Sequence, residues 1–187
     1  IEDTIDCMVN TDAQYFPDEY WKMSLEFLEF PFVIVSQDKN FFKQKDAFKA
    51  LREGDFRDDV NIMIGLNADE GNFWNIYNLN KYFGVDEQPE LTLDEFHNCI
   101  EEAFKTQPTL VRNAAKYVNQ MVGDYFFTCD SLWMADKLTE KRNGNKNSGK
   151  VYIYYFNQTR VGNPWPDWTG VMHGYEIEFV FGSPIAN

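Results

Sequence analysis

The chain of 187 residues contains only two histidines and three cysteines, and its 17 Lys and Arg face 30 Asp and Glu. Each shortage excludes something. At a formal net charge of −13 the protein is a poor binder of nucleic acid, because phosphate contacts need Lys and Arg. The same charge keeps a protein soluble and can steer a cationic ligand. No apolar run reaches transmembrane length. No Cys/His spacing suits a metal and no glycine-rich loop suits a phosphate, and the reading reached below calls for neither a metal nor an organic cofactor. No G-x-S-x-G nucleophile elbow occurs, and Ser148 and Ser183 have neither its flanks nor a strand-to-helix position. Internal repeats are missing too. The opening Ile1-Glu2-Asp3 has no initiator methionine and no signal peptide, which reads as an internal start.

What is present points to a packed domain. Hydrophobic residues make up 44%, which excludes a disordered tail. Aromatic residues make up 17%, enough to build a core or to line a cavity with rigid rings. Cys7, Cys99 and Cys129 form an odd set, which implies a free thiol or a partner outside the chain. Asn157-Gln158-Thr159 is an N-glycosylation sequon, meaningful if the protein is secreted.

Along the chain, residues 1–27 are acidic and aromatic, with a turn at Pro17-Asp18, and Phe30 to Val35 is an extended apolar run. Asp46 caps a short predicted helix carrying Phe48 and Leu51. Val60 to Leu66 reads as a buried strand, and helical spacing follows at Phe73, Ile76 and Tyr77. Thr92-Leu93-Asp94-Glu95 is a capping box opening a helix through Leu93, Phe96, Ile100 and Phe104. Leu110 to Val122 marks a second helix, and Ser131 to Glu140 a third. Lys141 to Lys150 is a polar surface loop, and Val151 to Phe156 a second buried strand. A loop rich in Pro and Trp then leads to Tyr175–Gly182. Strand, long helical excursion and strand together predict a parallel α/β sheet with helical insertions. A parallel sheet buried on both faces needs more strands than these, so it should continue beyond this chain.

Two ionisable residues follow the two strands. Glu70 lies in Asn67-Ala68-Asp69-Glu70-Gly71-Asn72, and His173 in Gly170-Val171-Met172-His173-Gly174. Functional groups gather at the carboxyl ends of strands in open α/β sheets. An acid followed by a histidine also fits the hydrolase order Ser…Asp/Glu…His, in which the acid orients the imidazole and the imidazole moves the proton. His97, beside Phe96 on the capped helix, has no acid in matching context and reads as structural or exposed. An acid and a histidine alone cannot perform acyl transfer without a nucleophile.

The run from Gly162-Asn163-Pro164-Trp165-Pro166-Asp167-Trp168-Thr169 through His173-Gly174-Tyr175-Glu176 to Gly182 closely resembles the stretch around the catalytic histidine of cholinesterases. Asn67-Ala68-Asp69-Glu70-Gly71-Asn72-Phe73-Trp74 resembles the segment holding their catalytic glutamate, and Val122 to Cys129 resembles a third block. The resemblance implies the C-terminal portion of a single α/β-hydrolase catalytic domain spanning residues 1–187, with a mixed, mostly parallel sheet. It implies Glu70 and His173 as catalytic acid and base, and an N-terminal portion of the same enzyme that supplies the nucleophilic serine. It gives Phe30 as an acyl-pocket residue, with Leu28 where a second aromatic is frequent, which leaves the acyl preference open. Phe73, Trp74, Tyr77 and Tyr175 become gorge-lining aromatics, and Trp21 the tryptophan at the gorge mouth. Cys7 and Cys129 would bond to cysteines outside this chain, with Cys99 free.

The implied reaction is hydrolysis of acetylcholine to choline and acetate, by a secreted or extracellular, synaptic protein. Glycosylation at Asn157 is part of that expectation; anchoring through sequence outside this chain and a homodimer stay open. The rival readings are a cholinesterase-like adhesion protein that does no chemistry, and a butyrylcholinesterase-like or general carboxylesterase.

Overall fold

The computed structural model describes residues 2–23, 40, 46–104 and 114–183. The chain divides into two compact units, Ile1–Val35 and Ser36–Asn187. The first contains α1 (Glu2–Asn10) and α2 (Tyr15–Lys22). Asp12 accepts the Gln14 backbone N–H at 2.9 Å in the turn between them.

The second unit carries the sheet. It opens with α3 (Ala47–Glu53), and Asp46 caps it as expected by accepting the Lys49 N–H at 2.6 Å. β1 (Ile62–Asn67) and β2 (Val151–Phe156) pair in parallel, in register from Ile62 opposite Val151 to Asn67 opposite Phe156. Parallel neighbours need a long crossover, and the helices lying between Glu70 and Arg142 form it. With only these two strands among the described residues, side chains that the sequence reads as sheet-buried lie open on this chain. Met63 is 70% exposed and Tyr155 63%, while Leu66 and Asn67 are buried. Burial is concentrated at the carboxyl end of β1, where the backbone N–H and side chain of Asn67 are bonded to Glu70 and to the loop carrying His173.

α4 (Glu70–Asn78) starts directly after a turn at Ala68 and Asp69. α5 (Leu93–Phe104) starts at the predicted capping box: the Thr92 N–H donates to Glu95 Oε2 at 2.9 Å, and the Glu95 N–H donates back to Thr92 Oγ1 at 3.3 Å. α6 (Ala114–Gly123) continues through a π-helical turn at Asp124–Thr128 into α7 (Cys129–Arg142). The sequence reads as separate helices from Leu110 and Ser131; the backbone from residue 114 to 142 is one helical run with a wide turn in it. The aromatic run Tyr125-Phe126-Phe127 falls in that turn, where the apolar period is lost. Lys141 and Arg142, assigned to the polar loop from sequence, form the last turn of α7 instead, and Arg142 is buried.

The core forms where α4, α5 and α6 meet. Phe96, Ile100, Val118 and Val122 are buried, with Leu79 and Phe83 just after α4. Each such side chain contributes about 1.5–3 kcal/mol by leaving water. Gly71 and Gly123 set the spacing of α4 on α6: a Cβ on Gly71 would lie 2.1 Å from the Asn119 carbonyl oxygen. α8 (Ile177–Val180) closes the described fold. Among the described residues, no helix is long and apolar enough to cross a membrane.

Candidate active site

The carboxyl end of β1 fixes the first functional group. Glu70 is the first residue of α4, where unpaired backbone N–H groups favour a carboxylate. Its side chain is only 8% exposed, and a carboxylate so placed must have both oxygens occupied. Oε1 accepts the Asn67 backbone N–H at 2.8 Å. Oε2 lies 2.7 Å from His173 Nδ1. With the carboxylate accepting, Nδ1 is the donor, and Nε2 is left as the basic nitrogen.

His173 arrives by a longer route. It sits in the loop between β2 and α8, after a 3₁₀ turn at Asp167–Thr169. The turn that carries Glu70 laces this loop in place. The Asn72 amide donates to the Thr169 carbonyl at 3.1 Å, and the Asn67 amide donates to the Met172 carbonyl at 2.9 Å. Asp69 grips the residue between them: its N–H donates to the Val171 carbonyl at 3.0 Å, and its Oδ2 accepts the Val171 N–H at 3.0 Å. The Asn67 amide also donates to Glu176 Oε2 at 2.5 Å, which ties Glu176 to the same cluster.

Hydrogen bonding to Glu70 raises the His173 pKa above its usual value, burial opposes that rise, and the charges of Glu70 and Glu176 add to it. The His173 side chain remains 42% exposed, so proton exchange at the ring is open to whatever faces it.

Around the imidazole lie aromatic rings. Phe127 is nearest, with centroids 4.6 Å apart and planes at 30°. Trp74 lies at 5.7 Å and Phe73 at 6.4 Å. Phe73 contacts Tyr77 at 4.8 Å, and Tyr77 meets Trp165 edge-on at 6.3 Å. The Trp165 indole N–H donates to the Tyr175 hydroxyl. Of the aromatics expected at a gorge, Phe73 and Trp74 therefore touch the histidine. Tyr77, 57% exposed, and Tyr175 stand further along the chain of rings.

Other expected positions lie elsewhere. Leu28 and Phe30 fall outside the described residues. Trp21 belongs to α2 of the first unit, and its side chain is likewise outside the description. Cys7 and Cys129 are exposed free thiols. Cys99 is a free, buried thiol whose pKa burial pushes up to about 12. Asn157 is exposed just after β2 and lines a cavity of about 410 Å³ with Asn67, Asp69 and Glu70. His97 is half-buried against Phe96, their ring centroids 5.9 Å apart, far from any role at Glu70.

Sequence reasoning assigned no role to Asn67, Asp69, Asn72, Phe127 or Glu176. The signal for Asn67 was a polar residue closing an apolar strand. Phe127 lies in the third resembling block, and the π turn that carries it toward His173 has no sequence signature of its own. π turns are frequent at functional sites.

Residues 1–187 match the family described as "Carboxylesterase family". The chain is 48% identical over 213 aligned residues to Acetylcholinesterase 4 of Caenorhabditis briggsae, covering 100% of this chain and 35% of that protein. It is 30% identical over 207 residues to Acetylcholinesterase 1 of Caenorhabditis elegans, covering 97% of this chain and 32% of that protein. To Acetylcholinesterase of Leptinotarsa decemlineata it is 29% identical over 198 residues, covering 97% and 30%. The chain thus spans about a third of the length of the curated relatives it matches.

Proposed function

The chain belongs to the carboxylesterase family, which has the α/β-hydrolase fold, and from that premise we propose that it contributes the acid and the base of a serine esterase acting on acetylcholine. The observation that carries this reading is the 2.7 Å contact between Glu70 Oε2 and His173 Nδ1, with the other carboxylate oxygen held by the Asn67 N–H. An acid fixed at both oxygens holds one tautomer and leaves Nε2 to accept a proton.

In this reading a serine supplied by residues outside this chain attacks the ester carbonyl. His173 takes the serine proton, then returns it to the departing choline oxygen. Water enters next, and His173 deprotonates it as it attacks the acyl-enzyme; acetate leaves and the serine regains its proton. Glu70 stabilises the imidazolium at each step without taking the proton itself. The oxyanion hole belongs to backbone N–H groups beyond this chain. Faces of Phe73, Trp74 and Tyr77 suit a quaternary ammonium through cation–π attraction, and the net charge of −13 suits its approach.

Residues 1–187 are read as one stretch of a single catalytic domain. An extracellular, synaptic location and glycosylation fit the exposed sequon at Asn157. Disulfides from Cys7 and Cys129 to cysteines outside this chain fit two exposed thiols.

The test is choline-ester hydrolysis by the full-length protein and by its His173→Ala variant. The variant should lose several orders of magnitude in kcat, retaining roughly 10³–10⁴-fold catalysis over water. A folded wild type that turns over no ester would favour the adhesion reading. A wild type that prefers butyrylcholine or uncharged esters would move the substrate assignment and leave the chemistry intact. Near-full activity in His173→Ala would remove the site assignment.

A further inference from the structure

Glu70 holds the ring of His173, but nothing in that contact fixes the backbone from which the ring projects. Asn67 and Asn72 each hold one carbonyl of that backbone, and the residue immediately before Glu70 holds it on two sides. Asp69 makes a two-sided grip on Val171, donating its N–H to the Val171 carbonyl and accepting the Val171 N–H on Oδ2, both at 3.0 Å. Its remaining oxygen, Oδ1, accepts the Asn119 side-chain amide of α6 at 3.1 Å. The adjacent Gly170 has φ +62°, and a Cβ there would lie 2.0 Å from Asp69 Oδ2. The loop therefore has glycine at the one place where the carboxylate crosses it.

From this arrangement we infer that Asp69 is a positioning residue for the esterase reaction, clamping the His173 loop from below while Glu70 orients the ring. The inference rests on the triad reading above and extends it to a residue that touches neither the imidazole nor substrate. The two adjacent acids divide the task. Glu70 acts on the side chain of His173, and Asp69 on the main chain two residues before it, with α6 as the anchor. A misplacement of about 1 Å in a catalytic group can cost on the order of 10²-fold in rate, so a main-chain clamp at this distance has a kinetic consequence.

Chemistry distinguishes the clamp from generic packing. Asp69→Asn can keep it. The carbonyl oxygen of the substituted side chain accepts the Val171 N–H. The new amide group then faces Asn119, whose Oδ1 is buried without a partner and becomes an acceptor once the Asn119 amide turns over. Asp69→Ala cannot keep it, and leaves the Val171 N–H without an acceptor. Glu70 and Glu176 are the charged groups that act on His173, and the rings of Phe73, Trp74 and Phe127 around it are neutral. Loosening the loop weakens the Glu70 contact, so the acid limb of kcat/KM should move to lower pH.

The experiment uses full-length protein and measures kcat, KM and the pH dependence of kcat/KM on a choline ester. Asp69→Ala should lower kcat about 10–10²-fold with KM changed by less than about threefold, and shift the acid limb down. Asp69→Asn should recover most of the wild-type kcat and limb. Wild-type kcat and limb in Asp69→Ala would overturn the inference while the triad reading stood. So would equal losses in Asp69→Ala and Asp69→Asn, which would assign the effect to charge. If Asp69→Ala does not fold, Asn119→Ala decides. A several-fold fall in kcat with the limb shifted the same way supports the clamp, and an unchanged kcat and limb overturns it. A folded wild type without esterase activity would remove both the reading and the inference built on it.

Discussion

The turn that carries Glu70 and the loop that carries His173 meet at one hydrogen bond but are built differently. The acid turn needs only Ala68 and Asp69 to pass from β1 to α4, and its glutamate is satisfied locally by the Asn67 N–H. The histidine loop runs through residues 157–176 between β2 and α8. It contains proline and glycine, and it takes its shape from Asn67, Asp69 and Asn72 of the acid turn. One position is a local consequence of strand end and helix start; the other is a tertiary consequence of the first. Damage to the acid turn's packing should therefore appear as lost stability, and damage to the loop's anchorage as lost turnover.

Cutting the bridge between the two regions should have the largest effect. Glu70→Gln keeps the shape but removes the charge that stabilises the imidazolium, and kcat should fall about 10³–10⁴-fold, as losses of this kind do in such triads. Steady-state kinetics on the full-length variant checks it, and a loss under tenfold would mean that another group orients His173.

A pair of glycine substitutions separates the regions more finely. Gly71→Ala would place its Cβ 2.1 Å from the Asn119 carbonyl oxygen and 2.9 Å from the Gly123 nitrogen, both backbone. Backbone cannot swing aside, so α4 must move off α6, at about 1–3 kcal/mol or more. Gly170→Ala meets the Asp69 carboxylate first, the end of a side chain, and its φ of +62° with ψ −138° adds about 1–3 kcal/mol of backbone strain. Denaturant unfolding and kcat measured together should show Gly71→Ala losing more stability per unit of turnover lost. The reverse ranking would break the distinction drawn between the two regions.

The smallest effect should fall outside both. Thr92→Ala removes the capping box of α5 and should cost about 1 kcal/mol with the pH profile of turnover unchanged. A changed profile would mean that the site is coupled to α5.

Elements with local causes were the ones legible in the sequence. Asp46 capping α3, the Thr92–Glu95 box, the strand at Ile62–Asn67 and its parallel partner at Val151–Phe156 all follow from short-range patterns. Glu70 and His173 were legible from chain order and from resemblance, and their contact was expected. The π turn was not, because Tyr125-Phe126-Phe127 looks like the start of a new segment when the turn is in fact wound into one rod. The exposure of Met63 and Tyr155 goes with a sheet of two strands, too few to cover both faces, as the sequence already implied. The lacing residues Asn67, Asp69 and Asn72 escaped because their partners lie about a hundred positions away, and short polar residues at a strand–helix turn look like ordinary turn formers.

The central claim is that Glu70 and His173 act as one acid–base unit, and the pH dependence of kcat/KM tests it most directly. The hydrogen bond and charge of Glu70 raise the His173 pKa while burial lowers it. The neutral imidazole that serves as base is populated above that raised pKa, so activity should fall as pH drops through it. In Glu70→Gln the raising causes from Glu70 vanish, leaving burial and Glu176. The acid limb of the residual activity should then move to lower pH, toward or below the ordinary histidine value of about 6.5. An acid limb at the same pH in wild type and Glu70→Gln would contradict the account.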